Sequence, residues 1–259
     1  MTLRVFSGDA ASPTDQNIKM KIEELAYHKT PLGELTLRRR IETLLQNKEV
    51  FEVKLGDEFL MSSLFTEGER QLAYIGLAGL EGELDVVVGG LGLGYTAAAA
   101  LENQMVRSLL VIDLFQEVID WHRNELVPMG SVLSKDKRCE MRKGNFFELA
   151  RTGLDVFDNE RKFDAVLLDI DHSHEHFLDE KNKSFYGTEG LISLRKQIKA
   201  GGAFALWSNE ASDEKFTKHL ESIFGTATAQ TIEFPNPYTN SVSANSVYIA
   251  HNKGGSNNR

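Results

Sequence analysis

From Leu84 onward, continuous apolar runs alternate with segments whose apolar residues recur at helical spacing. The runs LDVVVGG, SLLVID, FDAVLLDID and GGAFALWSN are short and end in small or polar residues. Segments such as TAAAALENQM, FQEVIDWHRNEL and DEKFTKHLESIF separate them and have the period of amphipathic helices. Strands that are apolar on both faces are typical of a parallel sheet covered by helices on both sides. The pattern therefore predicts an α/β fold over residues 83–251.

The two ends of the chain have different patterns. ATAQTIEF and NSVYIAH follow each other without a helix between them, which predicts an antiparallel strand at one edge of the sheet. TPLGELTL and VFEVKLGDEFLMSS contain Gly turns between short alternating runs, which predicts hairpins, and a helix is predicted over 68–80. We therefore divide the chain into a polar arm (1–25), a small β-rich region with a linking helix (26–82), the nucleoside-binding core (83–251) and a tail (252–259).

The composition narrows the class of partner. The formal net charge is −9, and the one dense basic run is LRRR at 37–40, whereas a nucleic-acid binder needs a broad basic surface. No apolar stretch approaches the roughly 20 residues of a membrane span, and the first residues lack the apolar core of a secretory signal. The single cysteine, Cys139, excludes an internal disulfide. We therefore expect a cytoplasmic protein that acts on a small molecule, with no nucleic-acid or membrane partner.

The segment VVVGGLGLGYT places four glycines between a buried strand and a helix: Gly89, Gly90, Gly92 and Gly94. Glycines there permit a tight turn and a close approach of a ligand to the backbone, although such turns also occur for steric reasons alone. The spacing fails the dinucleotide fingerprint, because Tyr95 stands where its third glycine belongs. The pattern G-x-G-x-G instead matches S-adenosylmethionine sites, so we predict a nucleoside site at this turn.

Polar residues follow the next two strands. Asp113 ends LLVID, where a carboxylate can accept hydrogen bonds from the two ribose hydroxyls; the alternative is a solvent-facing strand end. Asn145 and Phe146 follow the third strand and are candidates to pair with the adenine edge and to stack on its ring. Asn145 is equally placed to cap the helix that begins there, and the two roles are compatible.

The stretch DIDHSHEHFLDE begins at Asp169, where the fourth strand ends. Ligands in such sheets bind beyond the carboxyl ends of the strands, so Asp169 is a candidate base and His172, whose pKa is near neutrality, a candidate assistant. In a helix or a strand, His172, His174 and His176 would share a face and bind Zn²⁺ or Ni²⁺ with Asp171. The helical signature H-E-x-x-H is absent, so we expect no metal; a solvated loop is the other alternative.

Together, these motifs and the terminal FPNPYTNSVSANSVYIA resemble the spermidine synthase family over about residues 26–251. The resemblance implies a Rossmann-like fold of the class I methyltransferase type, with a mostly parallel seven-stranded sheet and a small N-terminal β region. It also allows a homodimer. It assigns Asp113 to the ribose of decarboxylated S-adenosylmethionine and Asp169 to deprotonation of the attacking amine.

Three departures separate the chain from an ordinary spermidine synthase. The family's glycine turn carries an acid, and this one does not. Ala73-Tyr74-Ile75 stand at the family's Tyr-His-Glu motif, and His172-Ser173 at the Asp-Pro of its strand-four loop. Fewer acids weaken a site for a cationic diamine, and an acid-free turn suits the carboxylate of intact S-adenosylmethionine, which backbone amides would bind. We therefore expect S-adenosylmethionine-dependent methyl transfer to an unknown acceptor, such as an amine, ahead of aminopropyl transfer and of a non-catalytic nucleoside-binding or dimerisation module.

Overall fold

The structure is a computed structural model that describes residues 22–254. The strands are β1 (Ile22–Thr30), β2 (Gly33–Glu42), β3 (Lys48–Leu55), β4 (Glu58–Ser62), β5 (Leu84–Gly89), β6 (Val106–Asp113), β7 (Cys139–Lys143), β8 (Phe163–Leu168), β9 (Ile198–Ser208), β10 (Gly225–Asn236) and β11 (Ser241–Asn252). The α-helices are α1 (Glu67–Leu77), α2 (Tyr95–Glu102), α3 (Gln116–Arg123), α4 (Gly130–Lys135), α5 (Phe146–Thr152), α6 (Thr188–Lys196) and α7 (Glu214–Phe224). A 3₁₀-helix spans Glu180–Tyr186, between β8 and α6.

The large sheet has seven strands in the order β10-β11-β9-β8-β5-β6-β7. Strands β5 to β9 are parallel, and β11 runs antiparallel to both β9 and β10. All six residues of β5 are buried, because helices cover the sheet on both sides. The α/β fold class and the antiparallel edge predicted from the sequence are confirmed. Because β5 lies between β6 and β8, the chain order reverses there, and such a switch point opens a crevice at the strand ends.

The two faces of the sheet carry different cores. Helices α1 to α4 pack on the face that contains Val86 and Val88, and α5 to α7 pack on the face that contains Val87. Helix α1 lies close to the sheet at Gly76, where a Cβ would come within 2.4 Å of Leu167 Cδ2. Each large apolar side chain buried in this way stabilises the fold by roughly 1.5–3 kcal/mol. The strand ends that carry the candidate site are therefore held between two packed layers.

The small sheet is a four-stranded antiparallel meander, β1-β2-β3-β4. It begins at Ile22, inside the range 1–25 that the sequence indicated as a polar arm. The predicted boundary differs because one face of β1 is exposed and carries charged residues, which resemble a polar arm in the sequence. Glu23 on this face forms an ion pair with Arg39 of β2 at 2.6 Å. Residues 1–21 lie outside the described residues. At the other end, β11 runs to Asn252, and residues 255–259 of the predicted tail also lie outside.

Within residues 22–254, the helices are all too short or too polar to cross a membrane.

Candidate active site

A cleft lies beyond the carboxyl ends of β5, β6, β7 and β8, and the small sheet covers it. It holds about 1200 Å³ of empty space, part of it open to solvent. Seven of the residues predicted from the sequence line it: Gly90, Gly92, Asp113, Asn145, Phe146, Asp169 and His172. The other two, Gly89 and Gly94, lie behind its surface. The fold therefore brings most of the predicted site together from four separate strand ends.

The glycine turn between β5 and α2 approaches its neighbours too closely for a side chain. Gly90 has a φ of +94°, and a Cβ there would lie 2.0 Å from the backbone oxygen of Asp169. Gly92 has a φ of +47°, and a Cβ there would lie 2.3 Å from Met61 Sδ. An acidic side chain at Gly92 would have to displace the Met61 side chain. The Met61 thioether therefore occupies the space that an acidic side chain in this turn would need.

We expect Gly90→Ala to abolish the nucleoside binding that the sequence predicts at this turn and to destabilise the protein by roughly 2 kcal/mol more than Gly82→Ala. A Cβ at Gly90 would push the Asp169 carbonyl, and with it the loop after β8, away from the turn. Gly82 is the matched control, because its φ is +81° and a Cβ there meets nothing within 4 Å. Thermal unfolding with and without methylthioadenosine measures both effects. Equal losses in the two variants would contradict a requirement for this close approach.

The other two glycines serve packing. A Cβ at Gly89 would lie 2.6 Å from Phe146 Cδ2, and one at Gly94 would lie 2.6 Å from His122 Cε1. His122 is fully buried, and its Nε2–H donates to the Gly92 carbonyl at 2.9 Å. Burial lowers the pKa of His122 to about 4, so the ring is neutral at physiological pH. This histidine was not predicted from the sequence, and it holds the turn from behind.

Asp113 is 9% exposed and faces the same turn. Its carboxylate accepts the backbone N–H of Leu91 at 2.9 Å and that of Phe115 at 2.8 Å. Burial raises the pKa of Asp113, and the hydrogen bonds from Phe115, Leu91 and Gly92 oppose that rise. Asp113 thus fastens the turn to the end of β6. Because it also lines the cleft, its contact with a ribose stays a prediction.

Most backbone N–H groups of the turn already have acceptors inside the protein. The pairs are Gly90 to the Ile112 carbonyl, Leu91 to the Asp113 carboxylate, Leu93 to Met61 Sδ, and Gly94 to the Leu91 carbonyl. An N–H group that is already paired does not attract an anion. The sequence suggested that backbone amides at a helix N-terminus would bind the carboxylate of intact S-adenosylmethionine. The amides of the turn are engaged within the protein, but α2 begins at Tyr95 without a side-chain cap, so that role stays a prediction for the first N–H groups of α2.

Asn145 and Phe146 meet the cleft where α5 begins. Asn145 Oδ1 accepts the N–H groups of Phe147 at 3.0 Å and Glu148 at 3.3 Å, which confirms the predicted helix cap. Phe146 is only 2% exposed and packs edge-on against Phe147 and Phe185. Phe146 therefore forms part of the cleft floor and leaves little ring surface for the predicted stacking on a base.

Asp169 and Glu69 form a pair of carboxyl groups in the cleft, with Glu69 buried and Asp169 partly buried. Thr96 Oγ1 donates to Asp169 Oδ2 at 2.6 Å. Burial raises the pKa of Asp169 to about 6, and the Thr96 hydrogen bond opposes the rise. Burial, with the charge of Asp169 as a second cause, raises the pKa of Glu69 to about 8. Near neutral pH the empty pair therefore carries one proton, with Asp169 ionised first.

Glu69 was missed in the sequence, where Ala73-Tyr74-Ile75 stood at the family's polyamine motif. Tyr74 is exposed, and its hydroxyl donates to Glu102 at 2.7 Å, outside the cleft. Glu69 supplies an acid from the same helix one turn earlier and is 8% exposed. A signal was present, because Glu69, Leu72, Ala73 and Gly76 follow the spacing of a buried helix face. A carboxyl group at an apolar-face position marks a functional site.

The three histidines after Asp169 do not converge. Their nearest acids lie on three different segments: His172 Nε2 is 4.0 Å from Glu58, His174 Nε2 is 3.4 Å from Asp213, and His176 Nδ1 is 2.6 Å from Glu210. His174 also stacks on Phe216, with 4.1 Å between ring centroids. In residues 22–254, no three His, Cys, Asp or Glu side chains are grouped to hold a metal ion. The segment is neither helix nor strand, so the shared faces considered for a metal do not exist.

Asp171 fixes the loop that carries these histidines. It is 1% exposed and accepts from Leu178 N–H at 2.8 Å, Asn182 Nδ2 at 2.9 Å and the Tyr186 hydroxyl at 2.9 Å. Burial raises the pKa of Asp171, and these hydrogen bonds oppose the rise. Its oxygens are engaged within the protein, so Asp171 acts as a structural anchor for the loop over the cleft.

The cleft is acidic. Four carboxyl groups line it: Glu69, Asp113, Asp169 and Asp179. Among the lining residues that the structure describes, none is Lys or Arg, and His172 is the one basic side chain. A cleft with one sign of charge concentrates ligands of the opposite sign. The arrangement is therefore suited to a cationic ligand, with a buried carboxylate available to accept a proton from it.

Comparison with solved structures identifies the fold. The chain is similar to spermidine synthase from Thermotoga maritima, with 16% identity over 91% of this chain and 74% of that chain and a TM-score of 0.68. It is also similar to a spermidine synthase in complex with the transition-state analogue AdoDATO, with 16% identity, 91% and 75% coverage and a TM-score of 0.69. No family profile and no curated protein matches the chain. The chain therefore has a spermidine synthase-like fold, as the sequence motifs predicted.

Proposed function

We propose that this chain is a transferase that moves the aminopropyl group of decarboxylated S-adenosylmethionine to an amine. One observation carries the proposal: Glu69 and Asp169 place two carboxyl groups, one buried and one partly buried, in a cleft whose described lining contains no Lys or Arg. The decarboxylated donor bears a sulfonium and an ammonium, and the acceptor adds another cation, so all charged parts of the reactants match this cleft.

The chemistry requires little beyond positioning and one proton transfer. The sulfonium already activates the carbon next to it, so the protein must align donor and acceptor. An amine arrives as an ammonium at neutral pH and must lose a proton before it attacks. Asp169 takes that proton; the nitrogen lone pair then forms the N–C bond, the C–S bond breaks, and its electrons leave with sulfur as a neutral thioether. Thr96 holds the carboxylate for this role at 2.6 Å.

Methyl transfer from intact S-adenosylmethionine is the second candidate, because the glycine turn carries no acid. The sequence favoured it over aminopropyl transfer, and one structural feature supports the reverse ranking. Glu69 supplies one of the acids that the sequence comparison counted as lost.

Thermal-shift titration with decarboxylated S-adenosylmethionine, S-adenosylmethionine and methylthioadenosine tests the proposal. We expect the decarboxylated donor and methylthioadenosine to raise the melting temperature by several degrees, and intact S-adenosylmethionine to do so less. A larger shift with S-adenosylmethionine, followed by S-adenosylhomocysteine release, would establish methyl transfer instead. The absence of any shift would favour a non-catalytic module.

A further inference from the structure

A second chamber opens from the cleft. The two spaces share five lining residues: Leu60, Met61, Glu69, His172 and Trp207. The second chamber holds about 910 Å³ of empty space, including space open to solvent. It lies between β4, the end of β9 and the β10–β11 hairpin. Because Glu69 lies at the junction, a molecule in this chamber can present an amine to the carboxyl pair.

The chamber walls are aromatic and amide-rich. Four rings line it: Phe59, Phe65, Phe234 and Trp207. Three amide side chains also line it: Asn209, Asn236 and Asn245. Among the described residues of this lining, Glu69 is the one acid, and it lies at the junction. The far part of the chamber therefore offers ring surface and neutral hydrogen-bonding groups.

The polar groups of the chamber are set by the fold. Asn245 is 6% exposed, and its Nδ2 donates to Asn209 Oδ1 at 3.1 Å. Trp207 Nε1 is buried and has no hydrogen-bond partner among residues 22–254. The indole nitrogen and Asn245 Oδ1 both lie within 2.6 Å of the position that a Cβ would take at Gly68. Only glycine at position 68 leaves room for both groups.

Contacts with the small sheet hold the hairpin that closes the chamber. The Tyr238 hydroxyl, in the turn of the hairpin, donates to Glu42 Oε2 at 2.7 Å and accepts from Arg40 at 2.6 Å. Phe65 packs on Phe234, with 5.8 Å between ring centroids. These contacts fix the walls of the chamber without a ligand. A preformed site favours a rigid ligand of matching shape over a flexible chain.

We infer that the second chamber is the acceptor subsite and that the acceptor is a primary amine with an uncharged aromatic arm. The inference rests on the proposed transfer to an amine and names its substrate class. The amine lies at Glu69 and Asp169, and the ring lies among Phe59, Phe65 and Phe234, with which it can form offset or edge-on ring contacts. A hydroxyl on the ring would meet the neutral amides.

A linear diamine fits this chamber less well. Its second ammonium would lie at the far end, where the described lining holds amides and rings but no carboxylate. Removing an ammonium from water without a paired charge is strongly unfavourable. The flexible carbon chain of a diamine also loses rotational freedom on binding.

Release of methylthioadenosine from decarboxylated S-adenosylmethionine, measured with tyramine and with putrescine, tests the inference. We expect kcat/KM for tyramine to exceed that for putrescine at least tenfold. A preference for putrescine would overturn the inference and leave amine transfer standing. Release with neither amine, in protein that still binds methylthioadenosine, would overturn amine transfer itself and the inference with it.

Variants designed to reverse the preference between the two amines provide a second test. Asn245→Asp and Asn236→Asp each place a carboxylate in the lining of the chamber, and we expect each to shift the ratio at least tenfold towards putrescine. Two positions are tested because either variant alone can fail to fold, which the melting temperature reports. Asn240→Asp is the matched control, since Asn240 lies in the hairpin turn and does not line the chamber. An unchanged ratio in both folded chamber variants would overturn the inference.

Discussion

Asp169→Asn is expected to reduce turnover by roughly a thousand-fold while the affinity for methylthioadenosine stays within about twofold. The amide has the same shape but cannot take a proton from the ammonium of the acceptor. Thr96, which donates to Asp169 at 2.6 Å, can donate equally to the amide oxygen, so the loop keeps its place. Initial rates with saturating donor, together with a binding titration, separate the two quantities.

Asp179→Asn is the matched control for this prediction. Asp179 lines the same cleft, so its replacement removes the same charge. Its side chain caps the 3₁₀-helix by accepting the N–H of Lys181 at 3.0 Å, and Asn caps a helix equally well. We expect turnover within a few-fold of the unmodified protein. Full activity in Asp169→Asn, or equal losses in both variants, would remove Asp169 from the mechanism.

The role of Asp169 as the base also sets the direction in which the reaction rate changes with pH. Asp169 accepts a proton only when it is ionised, and its pKa is raised to about 6 by burial. The value of kcat/KM for the amine, which reports ionisation of the free protein, therefore rises as pH increases through about 6. Asp169→Asn should lose this rise along with the activity. A profile that falls over that range would contradict Asp169 as the base.

Glu69→Gln is expected to raise KM for the amine at least thirtyfold and, at the same time, to stabilise the protein in alkaline solution. The loss of affinity follows because the ammonium loses a buried carboxylate partner. The gain in stability follows from the raised pKa. The folded state favours protonated Glu69 up to about pH 8, whereas the unfolded chain ionises near 4.5. Stability is therefore lost as pH rises between these values and is constant above them.

Gln does not titrate, so the free energy of unfolding of Glu69→Gln should exceed that of the unmodified protein by roughly 2–4 kcal/mol at pH 9 and by little at pH 4. Urea unfolding at the two pH values measures the difference. Glu67→Gln is the matched control, because Glu67 lies on the same helix, does not line the cleft and accepts from Gln71 at 2.8 Å. If the free energy of unfolding of Glu69→Gln differs from that of the unmodified protein by the same amount at pH 4 and at pH 9, the pKa of Glu69 is not raised by burial.

Ionised Glu69 destabilises the fold, as acidic groups gathered in a cation-binding site generally do. Two acids are kept apart from water and close to each other before the ligand arrives. An ammonium that binds between them allows both to ionise, so binding should release about one proton near neutral pH. Keeping the two acids close together costs free energy in the absence of a cation. A cationic ligand relieves this cost, and the relief contributes to its binding free energy.

The sequence alone determined the fold class and the edge of the sheet where the site lies. Hydrophobic period is a local property, so LDVVVGG predicted a strand buried on both faces, and FFELA predicted a helix that the structure places at Phe146–Thr152. Glycines between strand and helix marked the turn, and Asp169 followed directly from its position at a strand end. Each of these conclusions needs only neighbouring residues, since side-chain burial repeats along one element.

Only the tertiary structure decided which charged groups meet. Glu69 and Asp169 are far apart along the chain, and they meet because Gly76 lets α1 pack closely on the sheet. The histidines after Asp169 read as a common site but bind three separate acids, because their segment is irregular and its neighbours come from distant loops. The second chamber likewise requires the β10–β11 hairpin to fold back on the small sheet. Contacts between distant segments depend on packing geometry in three dimensions, which residue type and local period do not encode.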